Sequence, residues 1–210
     1  MRELILKMSM SLDGFVSGPE GDVAWMFSGD QVAIAWSVET VGNASLHIMG
    51  SRTFKDMASF WPTSTIAFAP PMNQIAKAVF SKQGPAVLKA AATANSPKDA
   101  SAGADSTQSG QFQPGAESWS EAYVASGDLA DEIAKLKAEE GKPIIAHGGA
   151  AFARSLIARE LVDQYVLLVH PVVLGKGVPI FSDIAQPRRL KLISATVFPG
   201  GAVAQIYRPM

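Results

Sequence analysis

The chain has 210 residues, of which 48% are hydrophobic and 18% charged, and its formal net charge is -1 at pH 7. This length predicts a single domain, and the balanced charge gives no electrostatic reason to expect a nucleic-acid or anionic-membrane partner. The lack of cysteine excludes disulfides, thiol nucleophiles and thiolate zinc sites, and with no apolar run of about 20 residues it favours a soluble, cytoplasmic protein.

The first element is an apolar run, Leu4–Ser11, which predicts a buried strand that continues into a turn and loop. Asp13-Gly14 stands at the end of this strand. One interpretation is a plain turn pair, because Asp tolerates turn geometry and Gly supplies positive φ. The other is a functional carboxylate, because strand ends face the ligand crevice in open α/β sheets.

A helix is predicted from Asp30 to Val41 and a strand at Leu46–Met49. The following Gly50-Ser51-Arg52-Thr53-Phe54 opens a short helix that runs to about Ser59. Hydroxyl and backbone donors at a helix start, beside an arginine, suit a phosphate group. The alternative is that Ser51 only caps the helix and that Arg52 is solvated.

A third strand end has similar chemistry. Pro70-Pro71-Met72-Asn73 breaks the chain before a short predicted strand, Lys77–Lys82, which ends in the hydroxyl of Ser81 and the ammonium of Lys82. Parallel strands all finish on the same side of a sheet, so three ends with anion-binding chemistry favour a shared site.

The composition changes at about 89–118 to Ala, Ser, Gly, Asp, Gln and Pro, with almost no large apolar residues. This pattern predicts a flexible insertion within the domain that has no core of its own. Beyond it, a strand is predicted at Glu121–Ser126, and a helix opens at Asp128 and ends at Gly141.

Pro143–Phe152 reads as strand, tight turn and helix around the pair Gly148-Gly149. Adjacent glycines let a backbone approach a ligand closely, and the N–H groups of the next helix point toward any anion. Taken alone, the glycine pair is better explained as an ordinary strand-to-helix turn, because glycine is the default residue there.

A long strand is predicted from Asp163 to Leu174, carrying through Pro171. Leu190–Ile193 and Ala202–Tyr207 then predict a closing antiparallel pair. Strands alternating with helices, followed by a hairpin, predict an α/β fold with a mainly parallel sheet, helices on both faces and an antiparallel C-terminal edge.

Several enzyme classes lack their motifs here: there is no G-x-S-x-G, no G-K-[ST] loop and no H-E-x-x-H. His47, His147 and His170 share no spacing, so structural or crevice-wall roles are favoured over metal ligation, and no metal is expected. Several phosphate-type anchors without an obvious nucleophile suit a cofactor that brings its own reactivity.

Taken in order, these motifs resemble the reductase domain at the C-terminus of the bifunctional riboflavin-biosynthesis deaminase-reductase, which shares the dihydrofolate reductase fold. The resemblance covers nearly all of residues 1–210 as one domain, apart from the insertion. The motifs that carry it are Ser11-Leu12-Asp13-Gly14, Ile48–Phe54, Met72-Asn73 before Val79-Phe80-Ser81, Ile145–Gly149 and Leu167–Gly175.

The resemblance implies that NADPH lies across the strand ends and that the bond between the two glycines is cis. The cofactor residues that it implies are Gly50, Ser51, Arg52, Thr53, Ser81, Lys82, Gly148, Gly149, Ala150 and Ala151. Arg52, Ser81 and Lys82 would surround the 2′-phosphate, and the others the pyrophosphate. Asp13, Trp25 and Leu174 would face nicotinamide and substrate, with Asp13 positioning substrate or relaying a proton. Family members commonly pair as homodimers, so a homodimer is expected.

Two departures argue against folate as the substrate. The position of the folate-binding carboxylate falls on Ile34, and the tyrosine expected after the glycines is replaced by Ala153. The first hypothesis is therefore an NADPH-dependent reductase that delivers hydride to a carbonyl or imine of a small, for instance heterocyclic, substrate. The second is a catalytically silent nucleotide-binding or dimerisation module with the same fold.

Overall fold

The computed structural model describes residues 1–27, 29–89, 108–182 and 184–210. Within these ranges one sheet is formed by β1 (Leu4–Ser11), β2 (Leu46–Gly50), β3 (Ala76–Phe80), β4 (Tyr123–Ala125), β5 (Ile144–Ala146), β6 (Gln164–His170), β7 (Leu190–Val197) and β8 (Val203–Pro209). The strand order is β4-β3-β2-β5-β1-β6-β8-β7. The first six strands in this order pair in parallel. β8 is antiparallel to both of its neighbours, β6 and β7.

Helices cover both faces of the sheet. They are α1 (Gln31–Gly42), α2 (Ser51–Phe60), α3 (Ala69–Gln74), α4 (Leu129–Ala138) and α5 (Ala150–Ala158). α1, α2 and α3 pack on one face, and α4 and α5 on the other. The predicted fold class, a mainly parallel α/β sheet with an antiparallel C-terminal edge, is confirmed. In the described ranges no helix combines the length and apolarity needed to cross a membrane.

The face beneath α1 positions the candidate site. Trp36 of α1 packs against Ile5 of β1, Ile145 of β5 and Val166 of β6. The helix begins at a capped end, because the Asp30 carboxylate accepts the N–H groups of Val32 and Ala33. The same carboxylate accepts the N–H of Gly200 at 2.6 Å, which ties α1 to the turn between β7 and β8.

Two element predictions were wrong. The strand predicted to carry through Pro171 ends at His170, because proline has no N–H to continue the ladder and the chain turns there, with Val172 N donating to His170 O at 2.8 Å. The break predicted at Pro70-Pro71 is instead the first turn of α3. Proline is tolerated at that point because first-turn N–H groups have no partner within the helix.

Most of the insertion predicted at about 89–118 lies outside the described residues. Its last part, residues 108–118, is described and packs on the body of the domain. Gln113 N donates to Pro62 O at 2.7 Å, and just beyond this part the buried Trp119 donates from Nε1 to Asn73 Oδ1 at 2.8 Å. These contacts bring the chain back to the sheet immediately before β4.

Candidate functional site

The segments that follow β2 and β5 meet at the C-terminal edge of the parallel sheet. β2 ends at Gly50, whose N–H points to Gly148 O at 3.4 Å. Gly149 N donates to Thr53 Oγ1 in the first turn of α2 at 2.6 Å. Two strand-to-helix turns that are far apart in sequence therefore form one concave surface of backbone at this edge.

Glycine is required where these turns touch. The Gly148–Gly149 peptide bond is cis, as the resemblance implies, and Gly148 has a φ of 86°, which side-chain-bearing residues rarely adopt. A Cβ on Gly148 would lie 3.0 Å from Met8 Sδ, and a Cβ on Gly149 would lie 2.8 Å from Thr53 Oγ1. A side chain at either position would therefore push the two turns away from their neighbours in the fold.

Both helices that start here offer free backbone donors. The N-caps are Gly50 for α2 and Gly149 for α5, and neither has a side chain that bonds to the first turn. The interpretation of Ser51 as the cap is therefore wrong, because Ser51 is the first helical residue. Neither first turn contains an acidic residue, so the N–H groups of Ala150 and Ala151 and the helix dipoles suit an anion.

The residues expected around a 2′-phosphate follow β2 and β3. Gly50 pairs with Phe80 across these strands, so Arg52 and the Ser81-Lys82 pair follow neighbouring strand ends. Arg52 and Lys82 are exposed, and within the described ranges no hydrogen bond or ion pair engages either side chain. Ser81 is buried, and its Oγ accepts the N–H of Gln83 at 3.2 Å.

Asp13 holds a loop against the end of β1. Its exposed carboxylate accepts the N–H of Gly175 at 2.7 Å and that of Leu174 at 3.2 Å. The Ser11 hydroxyl and then these backbone donors lower the pKa of Asp13. The structure therefore brings Asp13 and Leu174 together, as a carboxylate bound to the backbone of the loop after β6.

Trp25 lies at the end of β6. Its ring meets the ring of His170 edge to face with centroids 5.6 Å apart, and its Nε1 donates to Asp22 O at 3.2 Å. His170 is 3% exposed, and neither of its buried ring nitrogens has a hydrogen-bond partner among the described residues. Burial, and secondarily the charge of Lys7, lowers the pKa of His170.

Lys7 is a site residue that the sequence analysis missed. It lies in the middle of β1, opposite Val166 of β6, on the face that α1 covers. Within the described part of the chain its Nζ has no hydrogen bond and no ion pair. Burial lowers the pKa of Lys7 to about 8. A lysine inside an otherwise apolar strand was the available signal.

A pair of histidines continues this basic group, with His147 beside Lys7 and His47 beside His147. His147 directly follows β5, and its ring meets that of His47 with centroids 4.5 Å apart. His47 Nε2 lies 3.1 Å from Val41 O, whereas His47 Nδ1 and His147 Nε2 are buried and have no partner in the part of the chain that the structure describes. Burial lowers the pKa of His47 to about 4 and that of His147 well below its usual range. Among the described residues no group of three His, Cys, Asp or Glu could hold a metal ion.

The site thus has two parts at one edge of the sheet. The first is a backbone cradle, formed by the glycines after β2 and β5 and the first turns of α2 and α5. The second is a basic cluster, formed by Lys7, His147 and His170 on the face that α1 covers, with Trp25 against His170. Sequence analysis pointed to the cradle and Trp25, but not to the grouping of the bases.

Comparison with protein families identifies the kind of domain that this architecture represents. The family model described as "RibD C-terminal domain" matches residues 2–204, which is nearly the whole chain. The match includes both strand-to-helix turns of the cradle and the strand that contains Lys7.

Related proteins and solved structures agree with this match. Bacillus subtilis (strain 168) protein YyaP is 26% identical over 206 residues, covering 98% of this chain and 94% of that protein. The pyrimidine reductase-like protein DIP1392 of Corynebacterium diphtheriae superposes with a TM-score of 0.61 at 17% identity, covering 100% of this chain and 92% of that one. Enterococcus faecalis dihydrofolate reductase complexed with NADP(H) superposes with a TM-score of 0.55 at 13% identity, covering 99% and 96%. These structures confirm the dihydrofolate reductase-like fold.

Proposed function

This chain belongs to the RibD C-terminal domain family, and from that premise we propose that it is an NADPH-dependent reductase. The reaction is hydride transfer to the carbonyl or imine carbon of a small, for instance heterocyclic, substrate. The observation that carries the proposal is the meeting of two glycine-led helix N-termini at the C-terminal edge of a parallel sheet. Free N–H groups converge there on the space where a dinucleotide pyrophosphate would lie.

The backbone donors and the charges at the cradle suit the cofactor. When bound, NADPH would supply the hydride. The pyrophosphate would be held by Gly50, Ser51, Thr53, Gly148, Gly149, Ala150 and Ala151. The 2′-phosphate would lie beside Arg52, Ser81 and Lys82, whose two cations have no partner among the described residues. Charge complementarity there would favour NADPH over NADH.

For Asp13 we propose a positioning role on the substrate side, together with Trp25 and Leu174. Its carboxylate already accepts the N–H groups of Leu174 and Gly175, and its lowered pKa keeps it ionised near neutral pH. An ionised carboxylate with these bonds orients a loop better than it donates a proton.

Nucleotide titration tests the cofactor assignment. NADPH and NADH are titrated into the purified protein while tryptophan fluorescence is followed, with Ala151→Asp as the test variant and Ala130→Asp as its matched control. Each substitution puts an acid at the second residue of a helix, where it favours the helix dipole, but only residue 151 lies in the cradle. We expect saturable binding that prefers NADPH and is lost only in Ala151→Asp. No binding of either nucleotide would overturn the proposal.

Isotope transfer separates the reductase from the alternative, a catalytically silent nucleotide-binding or dimerisation module. NADPH deuterated at C4 of the nicotinamide is incubated with a panel of small carbonyl and imine compounds. A reductase moves deuterium to a carbon of one acceptor, and mass spectrometry detects it. Saturable NADPH binding with no transfer to any acceptor class would favour the silent module.

The KM and the pH profile of kcat of an Asp13→Asn variant test the role of Asp13. Asp13→Asn keeps one oxygen that accepts an N–H but removes the charge. A positioning role predicts a higher KM and a pH profile of kcat whose limbs keep their positions. Disappearance of one limb of the kcat profile would instead identify Asp13 as the proton relay.

We further propose that the chain pairs as a homodimer through β7. Nearly every residue of this edge strand is exposed, including Leu192 at 50% and Val197 at 74%. A long apolar edge exposed on both faces is a ready template for pairing with the same strand of a second copy. Sedimentation equilibrium of Leu192→Lys, with the exposed Phe112→Lys as control, should show dissociation only in the former. A monomeric wild type at micromolar concentration would contradict this.

A further inference from the structure

We propose that the chain has a second ligand site, away from the cradle, which binds a neutral aromatic molecule of two or three fused rings that carries a carbonyl oxygen. The site is a cavity of about 450 Å³ between the end of α5, the start of β6 and the segment that leads into β7. Binding there does not require the proposed reductase function to be correct, because the two sites share no residue.

The cavity lies at the opposite edge of the sheet from the cradle. Tyr165 is the second residue of β6, and Ile157 is the last but one of α5. Both line the cavity, and both belong to the core on the face that α4 and α5 cover. The cradle, in contrast, follows the ends of β2 and β5. A ligand in the cavity would therefore not contact the residues expected to hold the cofactor.

The walls of the cavity are mostly apolar and partly aromatic. Ile157, Ile184 and Leu190 line it, and the rings of Tyr165 and Phe181 lie with centroids 6.1 Å apart at an angle of 51°. Ligand pockets commonly have such walls and volumes of about 300–1,000 Å³. An apolar cavity of about 150 Å³ already binds benzene, so this one has room for two or three fused rings. Their burial would remove apolar surface from water.

The hydroxyl of Tyr165 is the polar group left for a ligand. The chain has three tyrosines, and the other two bond within it: Tyr123 donates to Glu132 Oε2 at 2.7 Å and Tyr207 to Gln205 Oε1 at 3.2 Å. Tyr165 is 4% exposed, yet no hydrogen bond from the described residues engages its hydroxyl.

The cavity gives access to this hydroxyl. Tyr165 lines the cavity, and its oxygen is not among the fully enclosed polar atoms that lack a partner. Tyrosine hydroxyls in buried positions usually have a partner. Burial raises the pKa of Tyr165, so the hydroxyl keeps its proton near neutral pH. A carbonyl oxygen of a ligand would accept that proton in a hydrogen bond.

The one cation at the cavity, among the described residues, is already balanced. The Arg188 guanidinium donates to Ile157 O and Ala158 O at the end of α5. Its Nη2 also lies 3.1 Å from Glu160 Oε1. Carbonyls at a helix C-terminus and a carboxylate both stabilise a cation. Arg188 therefore creates no demand for an anionic ligand, and a neutral one suits the cavity better.

Fluorine NMR tests the site. Labelling with 3-fluorotyrosine gives three signals, which single Tyr→Phe variants assign. Coumarin and 2-quinolone, each with two fused rings and a carbonyl, are titrated without NADPH, and coumarin-3-carboxylate is the anionic control. We expect a saturable shift of the Tyr165 signal with at least one neutral probe, no shift of the Tyr123 signal, and clearly weaker binding of the carboxylate. A Tyr165 signal that ignores both neutral probes, or that saturates equally with the carboxylate, would overturn the proposal.

Variants locate the binding, with equilibrium dialysis as the measurement. Tyr165→Phe keeps the ring but removes the donor, so the affinity for the neutral probe should fall about threefold to tenfold. Ala185→Trp puts a large side chain at the cavity wall and should weaken binding about tenfold or more by steric clash. Ala138→Trp, at an exposed alanine of α4, and Ala151→Asp, in the cradle, should leave binding unchanged. Full affinity in both Tyr165→Phe and Ala185→Trp would place the probe elsewhere and overturn the proposal.

A second copy of the chain is the competing occupant, because Leu190 begins β7, the strand through which we propose pairing. The titration is therefore repeated on Leu192→Lys at a concentration where sedimentation shows a monomer. Equal affinity of this variant and the wild type would support a ligand site. Binding to the variant alone would show that the partner copy covers the cavity, and would overturn the proposal.

Discussion

Two lysines lie within the strands of the same sheet, and their ammonium groups have opposite surroundings. Lys77 of β3 donates to Asn73 O at 2.9 Å, Ile75 O at 2.5 Å and Ser118 Oγ at 2.5 Å, and its Nζ lies 4.8 Å from the centroid of the Trp119 ring. Lys7 of β1 makes no hydrogen bond or ion pair within the described residues. Burial lowers both pKa values, to about 7 for Lys77 and about 8 for Lys7.

The difference separates a lysine whose bonds hold elements of the fold together from one whose ammonium has no partner among the described residues. Three acceptors and an aromatic face use every donor of the Lys77 ammonium, which joins α3, β3 and the segment before β4. Lys7 is half-buried, burial lowers its pKa less far than that of Lys77, and its ammonium makes no such bonds within the described residues. A group kept in this state is stabilised when a ligand binds, so its partner is expected to come from outside the chain.

The largest effect on stability is expected when the satisfied lysine is removed. Lys77→Met leaves the oxygens of Asn73, Ile75 and Ser118 without their donor, so we expect a loss of about 2–4 kcal/mol in the free energy of unfolding. Urea denaturation measures it, with Lys142→Met as the exposed control. An unchanged midpoint would mean that the bonds of Lys77 merely offset its desolvation.

Removing Lys7, whose ammonium has no partner among the described residues, should raise the free energy of unfolding. Lys7→Met replaces an unpaired cation with an apolar side chain of similar length, so the free energy of unfolding should rise by about 1–3 kcal/mol at pH 7. The same urea experiment, with the same Lys142→Met control, measures the change. A loss of stability would show that Lys7 has a partner in the folded protein and would abolish the contrast with Lys77.

The stability difference between wild type and Lys7→Met should depend on pH, because folding lowers the pKa of Lys7. The pKa of Lys7 is about 8 when folded and about 10.5 when unfolded. Below pH 8 both states hold the proton and the full penalty applies. Between these values only the unfolded state holds it, so wild-type stability rises with pH by up to about 1.4 kcal/mol per unit relative to Lys7→Met. Thermal unfolding of both proteins from pH 7 to 10 measures the difference in stability between them, which should become smaller as pH rises.

Much of the fold was predictable from local pattern. Apolar runs located most of the strands, and the glycine pairs and Asp30 located helix starts, because each depends on neighbours in sequence. The end of β6 and the start of α3 were mispredicted because proline ends a strand in one context and begins a helix in another. The order in which β5 inserts between β2 and β1 depends on contacts between distant segments, which local pattern does not contain.

The two parts of the site differ in the same way. The cradle could be predicted because its backbone geometry requires Gly148 and Gly149, and glycine is visible in a sequence. The basic cluster could not, because strand register determines which face Lys7 occupies and which bases lie beside it. His170 ends a strand and His147 precedes a turn, and neither position by itself indicates that both lie on the face of Lys7.

The smallest effect on stability is expected for a third kind of cation, one that is exposed and has no partner within the described ranges. Arg52→Gln with Lys82→Gln should change the free energy of unfolding by less than about 0.5 kcal/mol, because water already solvates both charges. Their effect should be on nucleotide preference: NADPH should lose about tenfold or more in affinity while NADH changes little, because only NADPH carries the 2′-phosphate. Parallel titrations of both nucleotides, with Lys142→Gln as control, measure the ratio. Equal losses of affinity for both nucleotides would indicate that these cations bind the pyrophosphate, which the two nucleotides share. A large loss in the free energy of unfolding would indicate that the two cations have a structural role, as Lys77 does.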